Sequence, residues 1–450
     1  MKKTKKRRQL NISQLIALVF LGVILAGALL LCLPFASRSG RSCGFLTALF
    51  TATSSTCVTG LILKDTWTQW SGFGQAVLLC LIEIGGMGFM SAVSMVIFAF
   101  RKKMSMSQQL LIAQSIGAEE TGEAVSMQKK IIAGCLSVEA VGAAALTVRF
   151  MKEYPFFKAL RMGVFHAVSA FCNAGFDILG FREEGSSVMT YGTDIPVVVT
   201  LALLIIVGGI GFLVWDEIVT VRSPKKWSVY TKLVLITTAI LLFGGMLLTL
   251  LTEWNNPGTL GNMTIPEKLT AAFFQSATLR TAGFAGIDQG ALTDGGKAVS
   301  MFLMLIGGSS GSTAGGLKTV TFIVLMLFIG AKLRGKEHVT VFKRTIPEKS
   351  VMNALTMFGA MTVLAFAGAA VLCSTSPVSF TDSLYETVSA IATVGLTTGI
   401  TPILSVPAKL LIIVYMYFGR VGIMTVSLGF LQDSHRSNHY KYAETSLLIG

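Results

Sequence analysis

Four short segments of the chain share one arrangement: an aromatic side chain, then ten positions on a glycine, then Leu or Phe. They run from Phe50 to Gly60, Phe165 to Gly175, Phe273 to Gly283 and Tyr385 to Gly395. The residue six before the glycine is always small: Ser54, Ser169, Ala277 and Ser389. The turns themselves read Val58-Thr59-Gly60, Asn173-Ala174-Gly175, Thr281-Ala282-Gly283 and Thr393-Val394-Gly395. Backbone carbonyls aimed at a common axis can replace the water around K⁺, as the TVGYG strands of potassium channels do. Such backbone often needs positive φ, which glycine reaches without steric cost. Thr393-Val394-Gly395 repeats the TVG of those strands, and the other three turns have drifted. Four unequal strands with one glycine each should hold a short stack of K⁺ sites, less strict than a four-fold symmetric filter. Glycines can also serve helix packing, but packing does not need a half-helix before each one. The C-terminal end of a helix carries partial negative charge, so half-helices ending at the axis would favour a cation.

These turns need elements that bring them together. Each segment is too short and too rich in Ser and Thr to span a bilayer, and each is preceded and followed by a long apolar stretch. The following stretch carries its own mark. Gly85-Gly86, Gly208-Gly209, Gly307-Gly308 and Gly419-Arg420 come 25, 33, 24 and 24 residues after the four glycines. The repeat unit is therefore helix, half-helix, glycine turn, helix. Non-helical backbone at membrane depth is tolerated only where protein buries it or water reaches it, and four re-entrant segments meeting around one axis satisfy that. The expected fold is an all-α integral membrane protein with eight transmembrane helices in four repeats around one pore. The spans are placed at 12–33, 71–100, 127–150, 194–219, 229–252, 296–331, 350–373 and 405–430. The repeats occupy 12–100, 127–221, 229–331 and 350–430, between a basic terminus, 1–11, and a tail, 431–450.

Composition agrees with a membrane protein. Hydrophobic residues make up 52% of the chain and charged ones 13%, against about 25% charged in soluble domains. The net charge of +14 is unevenly spread: 23 of the 37 Lys and Arg fall in the N-terminal head, the 101–130, 222–232 and 332–349 connections and the tail. That is the positive-inside bias, which puts both termini in the cytoplasm. It reports orientation and anionic lipid contact and gives no reason to expect nucleic acid. The seven cysteines show no CxxC spacing and suggest neither a disulfide framework nor a metal site.

The sixth apolar stretch, 296–331, is 36 residues, about 54 Å as one helix against a hydrocarbon core of about 30 Å. Its centre reads Gly307-Gly308-Ser309-Ser310-Gly311-Ser312-Thr313-Ala314-Gly315-Gly316, followed by Leu317-Lys318. No stable helix interior is built from that. The helix should break just inside the filter, and small polar residues there read as a gate. Two enzyme motifs nearly fit. A phosphate loop would need Lys directly after Gly316, where Leu317 stands. A GxSxG nucleophile at Ser309 needs a base within reach, and the four histidines are placed elsewhere, His166 at the start of a half-helix and the others in cytoplasmic segments. Arg280 must point away from the axis, toward Glu386 or toward carbonyls behind the filter. Arg420 takes the second-glycine position of the fourth repeat, where loop carbonyls are the favoured acceptors over Glu83.

Taken together, the four repeats, the single filter glycines, GGSSGSTAGGLKT and Arg420 resemble the Trk/Ktr/HKT superfamily of potassium transporters over nearly the whole chain. Arg280-Thr281-Ala282-Gly283-Phe284 and the GSTAGG loop are most similar to the KtrB branch, the membrane subunit of the Ktr systems. Relatives often carry proline after the first serine of the loop, where this chain has Ser310. The resemblance implies a potassium-uptake pore built from M1–P–M2 repeats, with Arg420 and Lys318 as charges associated with the gate. It implies a homodimer, Na⁺ stimulation, and a cytosolic ring of RCK-type, KtrA-like regulatory subunits that would carry ATP or ADP. A secondary carrier for another cation or solute is the competing class. Carriers usually show inverted repeats and paired broken helices, whereas these repeats run in one orientation with one clearly broken helix.

Overall fold

The computed structural model describes residues 12–88 and 121–422. The basic head, the tail with His435 and His439, and the far ends of the spans expected at 71–100 and 405–430 lie outside the described residues. The first sequence repeat folds as α1 (Ile12–Cys32), α2 (Phe45–Thr56), the single turn α3 (Thr66–Gln69) and α4 (Gly72–Gly86). The second gives α5 (Thr121–Phe150), α6 (Phe156–Phe171), α7 (Ile195–Ile210) and α8 (Phe212–Thr220). The third gives α9 (Val229–Glu253), α10 (Ile265–Thr278), α11 (Asp294–Leu305) and α12 (Thr319–Leu333). A small hairpin, β1 (Thr340–Val341) and β2 (Arg344–Thr345), leads to α13 (Glu348–Thr375), α14 (Phe380–Ile391) and α15 (Val406–Val421).

Among the described residues, α1, α5, α9 and α13 are each long and apolar enough to cross a membrane alone. Their outer faces are apolar. On α9, Ile236, Ile240, Phe243, Leu247 and Leu251 recur at helical spacing and are exposed. The hydroxyl-rich segments Thr51–Thr56 and Thr387–Ser389 are buried instead. Apolar surface outside and satisfied or caged polar groups inside suit a lipid solvent.

Local sequence starts the helices. Asp194, Ser379 and Ser405 accept from the backbone N–H groups of Val197, Asp382 and Ala408, and Thr264 with Glu267 forms a capping box. Proline stands in the first turn of α7, α10 and α15, where its missing N–H has no helical partner to lose.

One expectation is corrected here. The span placed at 194–219 is not one helix: α7 and α8 meet at 91°. The hinge is Gly211, with φ of 101°, a conformation side chains rarely adopt. Among the described residues, the second helices of two repeats, not one, are therefore clearly broken. The break in the third repeat falls where expected, between Leu305 and Thr319.

The glycines that mark the second helices have a shared cause. A Cβ at Gly85, Gly208 or Gly419 would overlap the carbonyl of Thr56, Phe171 or Ile391. Those carbonyls belong to the last residues of α2, α6 and α14. Each second helix thus packs backbone to backbone against the end of its own half-helix. In the third repeat Gly307 meets the carbonyl of Gly315 in the loop instead.

Candidate ion filter and gate

The half-helices α2, α6, α10 and α14 run straight into the four turns, and the helix ends hold the turns by local bonds. The N–H of Thr59 donates to Ser54 O, that of Ala174 to Ser169 O and that of Val394 to Ser389 O, each at 2.8 Å. The small residue six before the glycine has a task in two repeats: Ser54 Oγ and Ser389 Oγ accept from the N–H of Gly60 and Gly395 at 3.0 Å. Ala277 has no hydroxyl, and Gly283 N–H turns to Thr278 O at 3.4 Å.

The four glycines close a ring. A Cβ on Gly60 would lie 2.6 Å from Ala174 O, one on Gly175 2.8 Å from Ala282 O, and one on Gly283 2.5 Å from Val394 O. One on Gly395 would overlap Thr59 O and so complete the circuit. Each glycine therefore faces the carbonyl that precedes the next glycine, in cyclic order. Only hydrogen fits at any of the four.

All four glycines have positive φ, from 68° to 101°. So do the residues two positions earlier: Val58 at 55°, Asn173 at 58°, Thr281 at 66° and Thr393 at 52°. For β-branched residues this conformation costs roughly 1–3 kcal/mol and persists only where surroundings impose it. Sequence reasoning places these residues in the turns but misses their positive φ, because only Asn173 is a residue type that tolerates the left-handed region well. The hydroxyls of Thr59, Thr281 and Thr393 are buried without a protein partner. Buried polar groups in that state call for an explanation such as an ion or ordered water.

Outside the ring lies a cavity of about 690 Å³ that all four glycines line, together with Asp65, Asp177, Glu184 and Asp288. Asp177 follows the second glycine by two residues. Burial, helped by the neighbouring Asp65, pushes its carboxyl up to about 7.

On the inner side, Gly307 to Gly316 form a pinched loop. Gly307 N–H donates to Leu317 O at 2.9 Å, Leu317 N–H to Leu305 O at 3.1 Å and Thr319 N–H to Gly308 O at 3.0 Å, which closes its neck. The loop lies directly against the fourth filter strand: a Cβ on Gly315 would overlap Thr393 Oγ1, and one on Gly316 would sit 3.3 Å from Ala392 O. Three cations grip it. Arg280 donates to Gly307 O at 3.3 Å and also reaches Thr319 Oγ1 at 3.3 Å and Thr238 Oγ1 at 3.5 Å. Arg420 donates to Thr313 O and to the carbonyls of Gly85 and Gly86. Lys318 Nζ donates to Ala314 O at 2.8 Å. Arg280 thus takes a carbonyl and hydroxyls and not Glu386, which accepts from Thr401. The loop acceptors expected for Arg420 are present, with two carbonyls of the first repeat added.

Neither enzyme motif gains support here. Ser309 Oγ donates to Ile210 O, not to an imidazole. His166 is corrected in place: it lies well inside α6, buried, with Nδ1 2.7 Å from Met162 O and Nε2 accepting from Ile178 N–H.

A family model described as TrkH, cation transport protein, matches residues 13–440. The chain is 42% identical to the potassium/sodium uptake protein NtpJ of Enterococcus hirae, covering 100% of this chain and 99% of that one. It is 37% identical to the Ktr system potassium uptake protein B of Bacillus subtilis, over 96% of this chain and 95% of the relative. Among solved structures, that of the potassium transporter TrkH from Vibrio parahaemolyticus superposes with a TM-score of 0.73 at 18% identity, covering 96% of this chain and 86% of that one. That likeness establishes the fold, and the sequence matches establish the rest: the chain belongs to the TrkH family of cation transport proteins.

Proposed function

We propose that this chain is the membrane-embedded pore subunit of a Ktr-type potassium-uptake system, with eight spans in four M1–P–M2 repeats. The observation that carries the reading is the closed ring of four glycines, each against the carbonyl before the next. Those carbonyls, of Thr59, Ala174, Ala282 and Val394, would take the place of water around a dehydrated potassium ion. The unpartnered hydroxyls beside them fit the same use. The acidic mouth would concentrate cations, and the loop 307–316 would be the gate, held shut by Arg420 and Lys318. The basic connections would face the cytoplasm, where a nucleotide-binding RCK-type ring docks on a homodimer, and sodium would stimulate uptake. The potassium and sodium in the names of the relatives point the same way.

Purified protein in liposomes should take up rubidium, with potassium competing at least about tenfold better than sodium, a difference of about 1.4 kcal/mol. Equal competition by both ions would remove the filter reading. The carrier alternative gains one observation, the second broken helix at Gly211. Against it, the two breaks bond directly to each other. Rubidium flux that needs a counter-solute would favour the carrier.

A further inference from the structure

The loop touches the second repeat as intimately as its own helix. Where α7 stops, the carbonyls of Gly208, Gly209 and Ile210 lose the amides that a continuing helix would bring them. The loop supplies replacements. Thr313 N–H donates to Gly208 O at 3.2 Å and Ser309 N–H to Gly209 O at 3.0 Å, while Ser309 Oγ donates to Ile210 O. In return Phe212 N–H, one of the free amides at the start of α8, donates to Gly311 O at 2.8 Å. The loop therefore caps both halves of a broken helix from another repeat.

A second contact holds the loop tip. Tyr230 OH, from the first turn of α9, donates to Ser310 O at 3.0 Å. The same turn is tied to α8, because Glu217 accepts from Ser228 N–H, Ser228 Oγ and Thr231 Oγ1. Trp215 of α8 reaches back to Val207 O at 3.0 Å. Helix α8, the start of α9 and the loop tip thus form one hydrogen-bonded block.

We propose that the break at Gly211 is the dock of the gating loop, with Tyr230 as its positioning residue, so that the pore opens only when the loop leaves this block. The inference rests on the reading of 307–316 as the gate. It adds that the gate's resting place is built by the second repeat. It also means that force applied to the connection between α8 and α9 reaches the gate through Tyr230.

The geometry offers a lock. A Cβ on Gly211 would sit 3.5 Å from Ser309 Cβ, within the span a disulfide needs. The double variant Gly211→Cys with Ser309→Cys would be reconstituted and its rubidium uptake measured oxidised, then reduced. Oxidation should lower uptake at least about tenfold, and dithiothreitol should restore it, while neither single variant responds. A disulfide seen by mass spectrometry with uptake unchanged overturns the dock. If the left-handed cysteine prevents folding, Tyr230→Phe serves instead. It should raise resting uptake up to about fivefold, the shift that one neutral hydrogen bond is worth, with potassium preference unchanged; unaltered uptake counts against the proposal. Deleting the loop separates the two readings. High uptake after deletion, together with a harmless disulfide, rejects the dock alone, whereas low uptake after deletion rejects the gate itself.

Discussion

A single methyl on Gly395 would overlap the carbonyl of Thr59, so the glycine ring has no slack even for alanine. Gly395→Val should therefore abolish potassium-selective uptake while the protein still inserts and folds; normal potassium-over-sodium preference in a well-expressed variant would dismiss the ring as a filter. At the mouth, the Asp177 carboxyl is raised to about 7 by burial. A raised carboxyl is neutral below that pH and charged above it, so the vestibule loses one negative charge on acidification. The KM for rubidium should rise as external pH falls through about 7, and Asp177→Asn should flatten that dependence. An identical pH profile in the variant would show that another group titrates. The four turn glycines were legible in the sequence because only glycine meets so close a backbone approach at φ between 68° and 101°. The left-handed Val58, Thr281 and Thr393 were not, since nothing in those side chains announces positive φ; the neighbouring strands impose it. Arg280 was half legible. That it must avoid the axis follows from its charge, but its acceptors lie 27, 39 and 42 residues away, beyond any local pattern.

At the scale of elements, the proposed gate is a loop with a closed neck and three cationic anchors. Deleting about ten residues from 307–316 should raise uptake and weaken its dependence on any regulator. Arg420→Ala should act in the same direction but less strongly, since charged hydrogen bonds contribute roughly 1.5–3 kcal/mol each. The two changes should not add, because they act on one element. A folded deletion variant whose uptake stays low would place the barrier elsewhere. The break in the third repeat was legible from helix length and glycine content together. The break at Gly211 was not, although its sign was present: Gly208 and Gly209 were read as a repeat mark, and the third glycine beyond them went unused. Its cause is tertiary, because the loop that replaces the lost helical bonds comes from about a hundred residues downstream.

Across the whole molecule, the apolar faces of α1, α9 and α13 point outward and the hydroxyl-rich half-helices point inward. The spacing of four repeats carried that inversion, because each half-helix is unstable alone and must find its partners at the centre. Oligomeric state and regulation are expected from resemblance alone, as no pattern within one chain encodes a ring on another. If a nucleotide-binding ring sets the gate, adding it with ATP or with ADP should give different rubidium uptake, because only a ligand with unequal affinity for two states can shift them. Equal uptake under both nucleotides, with the ring demonstrably bound, would leave a pore that gates itself.

The closed ring of carbonyls is drawn from one polypeptide, and this changes what a mutation means. In an assembly of four identical chains, every substitution strikes all four strands together. Here each strand can change separately away from the close-packed glycines, so a substitution there strikes one quarter of the ring. Asn173, Thr281 and Val58 standing at equivalent places show that such drift has been tolerated. If the ring is the filter, its selectivity is open to gradual, strand-by-strand adjustment. Introducing alanine at Val58, Asn173, Thr281 and Thr393 in turn should produce four different ion preferences and not one repeated four times.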